Sequence, residues 1–540
     1  MSRADNPEEV FDFVIVGGGT AGCILAERLS AGGRHTVALL EAGGEARSPW
    51  TVIPAGFYKL LTNPRYNWGF HTEPEAATGM REIAVPRGKG LGGSTLINGM
   101  IYVRGQPQDY DRWAQRGCTG WGFSDIEPVF RRLEAYAGPD PDGLRGDAGP
   151  LPLCEVQERP GIAEAFIAAG AAAGYPRNPD YNGAAQDGFG YYQVNQKDGR
   201  RVSAEAAWLA PARGRPNLSV RTGVFVTGLT FAEGRATGVS ALRGGQKLRI
   251  GARREVILAA GAVQSPQLLE LSGIGAPEVL RRAGIELRHA LPQVGENYLD
   301  HFCTRMNWRV RLPETLNEET RGWRLLRAVA QYALTRKGVL TFGTGLAHGF
   351  VRTRDGLDGP DVQFFFMHAS YANAAERKLD RFPGMTLGVT QLRPESRGTI
   401  HVTCPDPAVQ PAIRPNFLST DEDRRAIVEG MKIGRRVVEQ APMDRYRVHE
   451  MSPGPECRSD ADWLQFARAN GQTIYHTAGT CRMGGDDGAV VDPALRVRGV
   501  RGLRVIDASV MPEMVSGNTQ AAVMMIADRG ADLVLQDARG

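Results

Sequence analysis

Phe11-Asp-Phe-Val-Ile-Val-Gly17-Gly18-Gly19-Thr20-Ala21-Gly22 is a short apolar run that breaks into spaced glycines. Phe13 to Val16 are apolar and partly β-branched, which predicts a short buried strand. Gly17, Gly19 and Gly22 then spell G-x-G-x-x-G, and Cys23 to Leu29 carries apolar residues at helical spacing. A second apolar run, Thr36 to Leu40, ends in Glu41. Each position has a physical reason. Gly17 turns the chain out of the strand. Gly19 lacks a Cβ, so a pyrophosphate can approach the backbone. Gly22 lets the helix pack close to the strand, and the helix N-terminus offers free N–H groups and a positive dipole. Glu41 can accept from an adenosine ribose, and its charge repels a 2′-phosphate. Strand, turn, helix and acid in this order predict a dinucleotide site. The motif alone leaves FAD and NAD both open.

The chain has 540 residues, 42% hydrophobic and 23% charged, an ordinary globular composition with room for two domains. The net charge of +4 is small and the basic residues are scattered, so nothing points to nucleic acid. The seven cysteines are far apart and form no CxxC, which suits reduced thiols and a cytoplasmic setting. The polar start, Met1 to Pro7, has no apolar signal core, and no apolar run is long enough to span a bilayer. Peripheral contact with the inner membrane stays open. No metal-ligand set is assigned.

Along the chain, residues 50–85 mix aromatics and prolines and read as connections that cover part of a bound cofactor. Gly88 to Gly105 is a second glycine-dense motif, with Gly92-Gly93-Ser94-Thr95 and Asn98-Gly99-Met100. Lys89 is followed by glycine, so it is no Walker loop. Backbone pressed against a flat ligand, with polar caps opening a helix, and a plain tight turn both fit these residues. Ser124 and Glu127 predict a capped helix over 124–134, and Gly161 to Ala173 an alanine-rich one. Gly238 to Leu242, Gly244-Gly245 and Lys247 to Gly251 predict a hairpin. Glu255 to Gly261 predicts another buried strand, followed by a helix starting at Ser265-Pro266. Residues 308–470 hold strand-like runs, such as Val362 to Met367, and helical patterns over 323–334 and 421–439. The last part is dense again. Tyr475-His476 precedes Leu503 to Asp507, then Ser516-Gly517-Asn518-Thr519-Gln520 and an apolar helix over 521–535. A strand ending in Asp507 before a helix N-terminus again suits polar or anionic groups.

Four separated stretches carry a resemblance. They are the first motif with Glu41, Gly88 to Gly105, Gly261 to Gly275, and the block of His476, Asp507 and Asn518. Together they resemble the glucose–methanol–choline (GMC) oxidoreductases, in particular choline dehydrogenase-like members. The resemblance implies an α/β fold: a Rossmann-like FAD-binding domain with a non-contiguous substrate domain of antiparallel sheet and helices. It divides the chain into 11–155, 204–305 and 470–540 for FAD, and 156–203 and 306–469 for substrate. It implies FAD, with Gly17, Gly19, Thr20, Ala21, Gly22, Glu41 and Ala42 toward the adenosine diphosphate and Val226 toward the adenine. Gly93, Ser94, Asn98, Gly99 and Met100 fall along the ribityl chain and flavin ring. Asp507, Ala508, Thr519 and Gln520 fall toward the pyrophosphate and flavin end. His476 falls on the family's catalytic histidine and Asn518 on its His/Asn partner. Two departures matter. Ile97 stands where covalent-flavin members carry histidine, so noncovalent FAD is expected. Gln520 and Ala522 stand in the family's Asn-Thr-Asn-Ala-Pro.

The chemistry expected is oxidation of a primary alcohol to the aldehyde, with hydride going to flavin N5. Histidine, with an ordinary pKa of ~6.5, can take the hydroxyl proton. Asn518 can hold the alcohol oxygen without acting as a base. Oxygen or a quinone-type carrier then takes the electrons. FAD-containing lyases of the hydroxynitrile type and photodecarboxylases are the alternative on the same fold, and His476 counts against the second. Choline would call for an aromatic cage, ideally with a carboxylate. Trp308, Trp323, Phe342, Phe350, Phe364, Phe365, Phe366 and Tyr371 are the aromatic candidates. His348 and His368 are candidates to line the substrate domain, His301 is read as structural or surface, and Glu270 and Glu286 as solvated.

Overall fold

A computed structural model describes residues 9–373 and 378–539; the polar stretch Met1 to Pro7 lies outside the described residues. The opening motif folds as read. Glu9–Val16 forms strand β1, Thr20–Ser30 helix α1 and Val37–Glu41 strand β2. The last four residues of β1 and all of β2 are buried, as expected for central parallel strands without polar alternation.

β1 lies in a seven-stranded sheet between β2 and β3 (Gln246–Leu258). Leu218–Thr222, β2, β1, the second half of β3 and Leu503–Val505 run parallel. The first half of β3 forms the expected hairpin with Arg235–Arg243, and Gly244 and Gly245 both take positive φ at its turn. The chain thus returns twice to this sheet, once after residue 217 and once after residue 502. Helices α1 and α3 (Gln520–Asp537) pack against each other beside it.

A second seven-stranded sheet is antiparallel. It includes β4 (Phe302–Val310), β5 (Val362–Met367) and β6 (Gly384–Gln391), in the order β4–β6–β5, then Ala347–Val351 and Gly188–Tyr191. Asp421–Val438 covers one face. Gly430 and Gly434, one turn apart, let it approach: a Cβ there would stand 2.9 Å from Val389 and 2.8 Å from Leu387. The other face is left for the site.

Several local expectations shift. The helix over 124–134 runs Phe123–Leu133 and is capped by Gly122, whose N–H donates to Asp125, rather than by Ser124. Helix α2 runs Gly261–Leu271, starting four residues before Ser265. The Asp507 carboxylate accepts from the Gly261 N–H at 2.8 Å and the Ser265 hydroxyl at 2.6 Å, so a residue distant in sequence sets the true start. The Gly93 motif opens one 3₁₀ turn, Gly93–Leu96, not a longer helix. Glu270 is fully buried, not solvated; it accepts from His401 at 2.7 Å and from the Val402 N–H at 2.8 Å. All seven cysteines are unpaired thiols.

Candidate functional site

At the end of β1, Gly17 takes φ +104° and turns the chain toward α1. The Glu41 side chain then ties three loops together. It accepts from the N–H groups of Gly18 (2.8 Å), Gly43 (2.7 Å) and Gly90 (2.9 Å). Burial pushes its carboxyl up, and these three donors work against that. The two glycine motifs meet here. A Cβ on Gly93 would stand 2.6 Å from the Cα of Gly19, and one on Gly88 only 2.1 Å from the Gly93 carbonyl. A Cβ on Gly19 would meet nothing closer than 3.9 Å. Bare backbone therefore forms one wall of a cavity of about 340 Å³.

Every residue expected at the site lines this cavity except Gly22. Gly22 packs beneath the wall, the role its spacing predicts. A Cβ there would fall 1.9 Å from the Gly17 carbonyl, so only glycine lets α1 sit this close to the turn. Val226 lines the wall near Glu41, and Phe57, Tyr58, Leu61 and Trp68 from the 50–85 segment also reach it. Asp507 spends its carboxylate on Gly261, Ser265 and the Ser509 N–H. Asn98 is held by Arg201, whose Nη1 donates to its side-chain oxygen and Nη2 to its carbonyl, both at 2.6 Å. Asn98 in turn donates to Gln520, so the departure at position 520 joins the second motif to α3.

The elongated wall fits FAD. The bare glycine turn before α1 suits a pyrophosphate. The Glu41 and Val226 end suits an adenosine. The backbone of Gly99 and Met100, beside Asn518, suits a flat ring. Ile97 presents only an apolar side chain there.

The other end centres on His476, which is 8% exposed. Tyr475 just before it takes φ +73°, a left-handed conformation unusual for a bulky residue. That turn aims the Tyr475 carbonyl at Arg87, which donates to it at 2.6 Å. The buried Asp300 carboxylate holds the next turn. It accepts from the N–H groups of His301 and His476 (2.9 Å each), and from Tyr298 (2.8 Å) and Thr473 (2.6 Å).

Hydrogen bonds on both sides set the tautomer of His476. The Leu392 carbonyl can only accept, so His301 Nε2, at 3.0 Å from it, carries a proton. Burial pushes His301 down to about 4, so the ring is neutral and its Nδ1 is an acceptor. His476 Nδ1, at 2.8 Å, must then donate to it, which leaves His476 Nε2 with a free lone pair. From the other side, Gln363 donates to the Asn518 side-chain oxygen at 3.3 Å. The Asn518 amide therefore faces His476 Nε2 nitrogen-first, at 3.2 Å. Burial, then the neighbouring His301 and Arg87, hold His476 well below the ordinary histidine range. The arrangement is a neutral base with its lone pair beside an amide donor at the cavity wall.

Of the aromatic candidates only Phe365 and Tyr371 line the cavity. Phe350, Phe364, Phe366 and Trp308 are buried in the core of the second sheet, and Trp323 is 65% exposed. His348 and His368 do not line it; burial pushes them down to about 3 and about 4. Sequence reading missed Asp300, His301, Arg87, Arg201 and Gln363. Their partners lie far away in sequence, and the Asp300-His301 dipeptide is the one local signal.

Likeness to known proteins shows the family. Residues 11–303 and 394–527 match the N- and C-terminal family models described as GMC oxidoreductase. The chain is 39% identical over 533 residues to an alcohol dehydrogenase [acceptor] of Pseudomonas putida, covering 98% of this chain and 96% of that one. It is 39% identical over 530 residues to an oxygen-dependent choline dehydrogenase of Photobacterium profundum, covering 97% and 93%. The crystal structure of pyridoxine 4-oxidase from Mesorbium loti superposes with a TM-score of 0.88 at 30% identity, covering 98% and 99%.

Proposed function

The chain belongs to the GMC oxidoreductases and is an FAD-dependent alcohol oxidoreductase, and from that premise we propose that His476 and Asn518 activate a primary alcohol. Bound FAD supplies the hydride acceptor for the carbinol carbon. The chain's own residues handle the proton and the oxygen. His476 Nε2 takes the hydroxyl proton, and its Nδ1–H stays anchored on His301. The Asn518 amide donates to the alcohol oxygen as its charge grows. The observation that carries this reading is the two-sided fixing of the His476 tautomer by His301 and Asn518. The relatives bear dehydrogenase and oxidase names, so the lyase and light-driven readings are not favoured. Anaerobic addition of a primary alcohol to the yellow protein should bleach the oxidised flavin band. A flavin that no alcohol bleaches counts against the reading.

Residues 11–155, 204–305 and 470–540 are proposed to hold FAD, and 156–203 and 306–469 the substrate. Ile97, an apolar side chain where covalent-flavin members carry histidine, supports noncovalent FAD, which acid precipitation would release into the supernatant. The acceptor is proposed to be a quinone-type carrier, with the protein peripheral at a membrane face. Among the described residues no helix is long and apolar enough to cross a membrane. Helix Gly322–Thr335, however, buries only Ala328 and Tyr332, and exposes Trp323, Leu325, Leu326, Val329 and Leu334. Arg321, Arg336 and Lys337 flank the helix, and Arg324 and Arg327 on it share Glu319, a net positive charge that suits the surface of an anionic bilayer. The expected result is cosedimentation with phosphatidylglycerol vesicles that weakens in high salt and is lost in Leu326→Glu with Leu334→Glu. Protein left in the supernatant with every vesicle composition argues instead for oxygen or a diffusible acceptor.

A further inference from the structure

Beyond His476 the cavity is roofed by the open face of the second sheet. The register of β4, β6 and β5 puts Arg305, Gly388 and Phe365 in one row across that face. All three line the cavity. Gly388 has no side chain, and a Cβ there would already stand 3.3 Å from Phe365 and 3.6 Å from Cys303. Gly388 therefore puts no side chain between the guanidinium and the aromatic ring.

Among the described residues Arg305 has no charged partner. The Gln472 carboxamide oxygen, turned toward it, accepts from Nη1 at 2.9 Å and Nη2 at 2.6 Å. Three of its five N–H donors remain. Among the described residues no carboxylate pairs with it, and the ionisable groups that act on it are the phenols of Tyr475, Tyr371 and Tyr58 and the Cys303 thiol. The carboxylates on the cavity wall are Glu41 and Asp507, and both are committed to backbone and hydroxyl donors at the opposite end. Among the described residues the substrate end thus offers a positive charge and no negative one. A quaternary ammonium alcohol finds no counter-charge there and meets a guanidinium. A carboxylate finds a planar fork of donors that matches its own geometry.

We propose that the alcohol oxidised by this enzyme carries a carboxylate, which docks on Arg305 while the carbinol meets His476 and Asn518. This rests on the alcohol-oxidising reading above. Arg305, the fourth residue of β4, stands four residues beyond His301, a Cα run of roughly 13 Å in extended chain. His301 touches His476. The two ends of the substrate are accordingly separated by several carbons or by an aromatic ring, for which Phe365 and Met367 supply apolar wall.

The test uses the FAD-loaded enzyme and three primary alcohols of one shape: 4-(hydroxymethyl)benzoate, benzyl alcohol and 4-(hydroxymethyl)phenyltrimethylammonium. Choline is added as a fourth. The expected kcat/KM for the carboxylate exceeds that for benzyl alcohol by about 10- to 100-fold, mainly through KM, as for a charged hydrogen bond. The cations fall below both. In Arg305→Gln the carboxylate advantage collapses toward one, and Arg305→Lys keeps part of it. Terephthalate should inhibit the wild type competitively and perturb its flavin spectrum. Wild-type substrate ratios and terephthalate binding decide the matter even if a variant fails to fold. Equal or better use of the neutral or cationic alcohols overturns this inference alone, as does an unchanged ratio in Arg305→Gln. Reduction of the flavin by none of the four overturns the alcohol reading and this inference together.

Discussion

His476→Ala retains FAD but slows flavin reduction by alcohol by about 10² to 10⁴-fold, the usual range for removing a general base. FAD is retained because His476 contributes no support to the glycine turns or to Glu41, which line the far end of the cavity. The loss is large because Nε2 is the unprotonated ring nitrogen, its lone pair turned to the cavity beside the Asn518 amide donor. Stopped-flow reduction with the flavin spectrum as readout separates the two effects, and full turnover in the variant would overturn the assignment. The pH dependence follows from the same surroundings. Burial, His301 and Arg87 hold His476 well below 6.5, so the neutral, proton-accepting form persists as pH falls past the ordinary histidine value. The acid limb of kcat/KM should therefore lie below pH 6.5 in the wild type. A limb at or above that value would mean that the ring is not desolvated as described. His301→Leu removes the acceptor for His476 Nδ1–H, and should lower the rate while shifting that limb.

Glu134→Ala should lower folding stability by about 3–5 kcal/mol, the range seen when one partner of a buried ion pair is removed. Glu134 is fully buried and accepts from two arginines. Arg104 donates to both its oxygens, at 2.6 and 2.7 Å, and Arg145 donates at 2.9 Å. Arg145 reaches on to Asp180 at 2.7 Å and Gln193 at 2.9 Å. The cluster bonds Arg104, at the end of the second glycine motif, to the 180–193 segment that leads into the second sheet. Alanine would strand the desolvated Arg104 guanidinium and leave Arg145 with Asp180 as its only carboxylate partner among the described residues. Burial alone would raise the Glu134 carboxyl, but Arg104 and Arg145 outweigh it and the group ends below its ordinary value of 4.5. A depressed carboxyl contributes stability that is present above the unfolded value and lost as pH falls through the folded one. The wild type should accordingly lose stability below about pH 4.5 more steeply than Glu134→Gln. Urea denaturation of the FAD-bound proteins across that range measures both effects. A change under 1 kcal/mol for the alanine variant would show that the arginines find other partners.

Local chemistry was enough for the nucleotide end. A β-branched run, three glycines, a helical period and an acid lie within some thirty residues, and each acts on its near neighbours. The hairpin at Gly244-Gly245 and the helices Gly161–Ala172 and Asp421–Val438 were legible for the same reason. Errors arose where a distant residue intervened. Asp507 moves the start of α2 from Ser265 to Gly261. His401 and Val402 give the Glu270 carboxylate a buried partner set. Gly22, by contrast, packs α1 against the turn as its place in the fingerprint predicts, beneath the cavity wall.

At the reactive end, His476 and Asn518 were placed by resemblance to a family, because a lone histidine carries no local signature. What orients them came from elsewhere in the chain. His301, Asp300 and Gln363 reach them only once β4 and β5 are laid beside the 474–477 turn. The charge of the substrate wall has the same origin. Arg305 and Phe365 are 60 residues apart, and the antiparallel register of β4, β6 and β5 alone puts them in one row with Gly388 between. Period and glycine spacing act over one turn or one strand and so can be read along the chain. A tautomer or a pocket's charge depends on which side chains converge from different strands, and that is settled by register and packing.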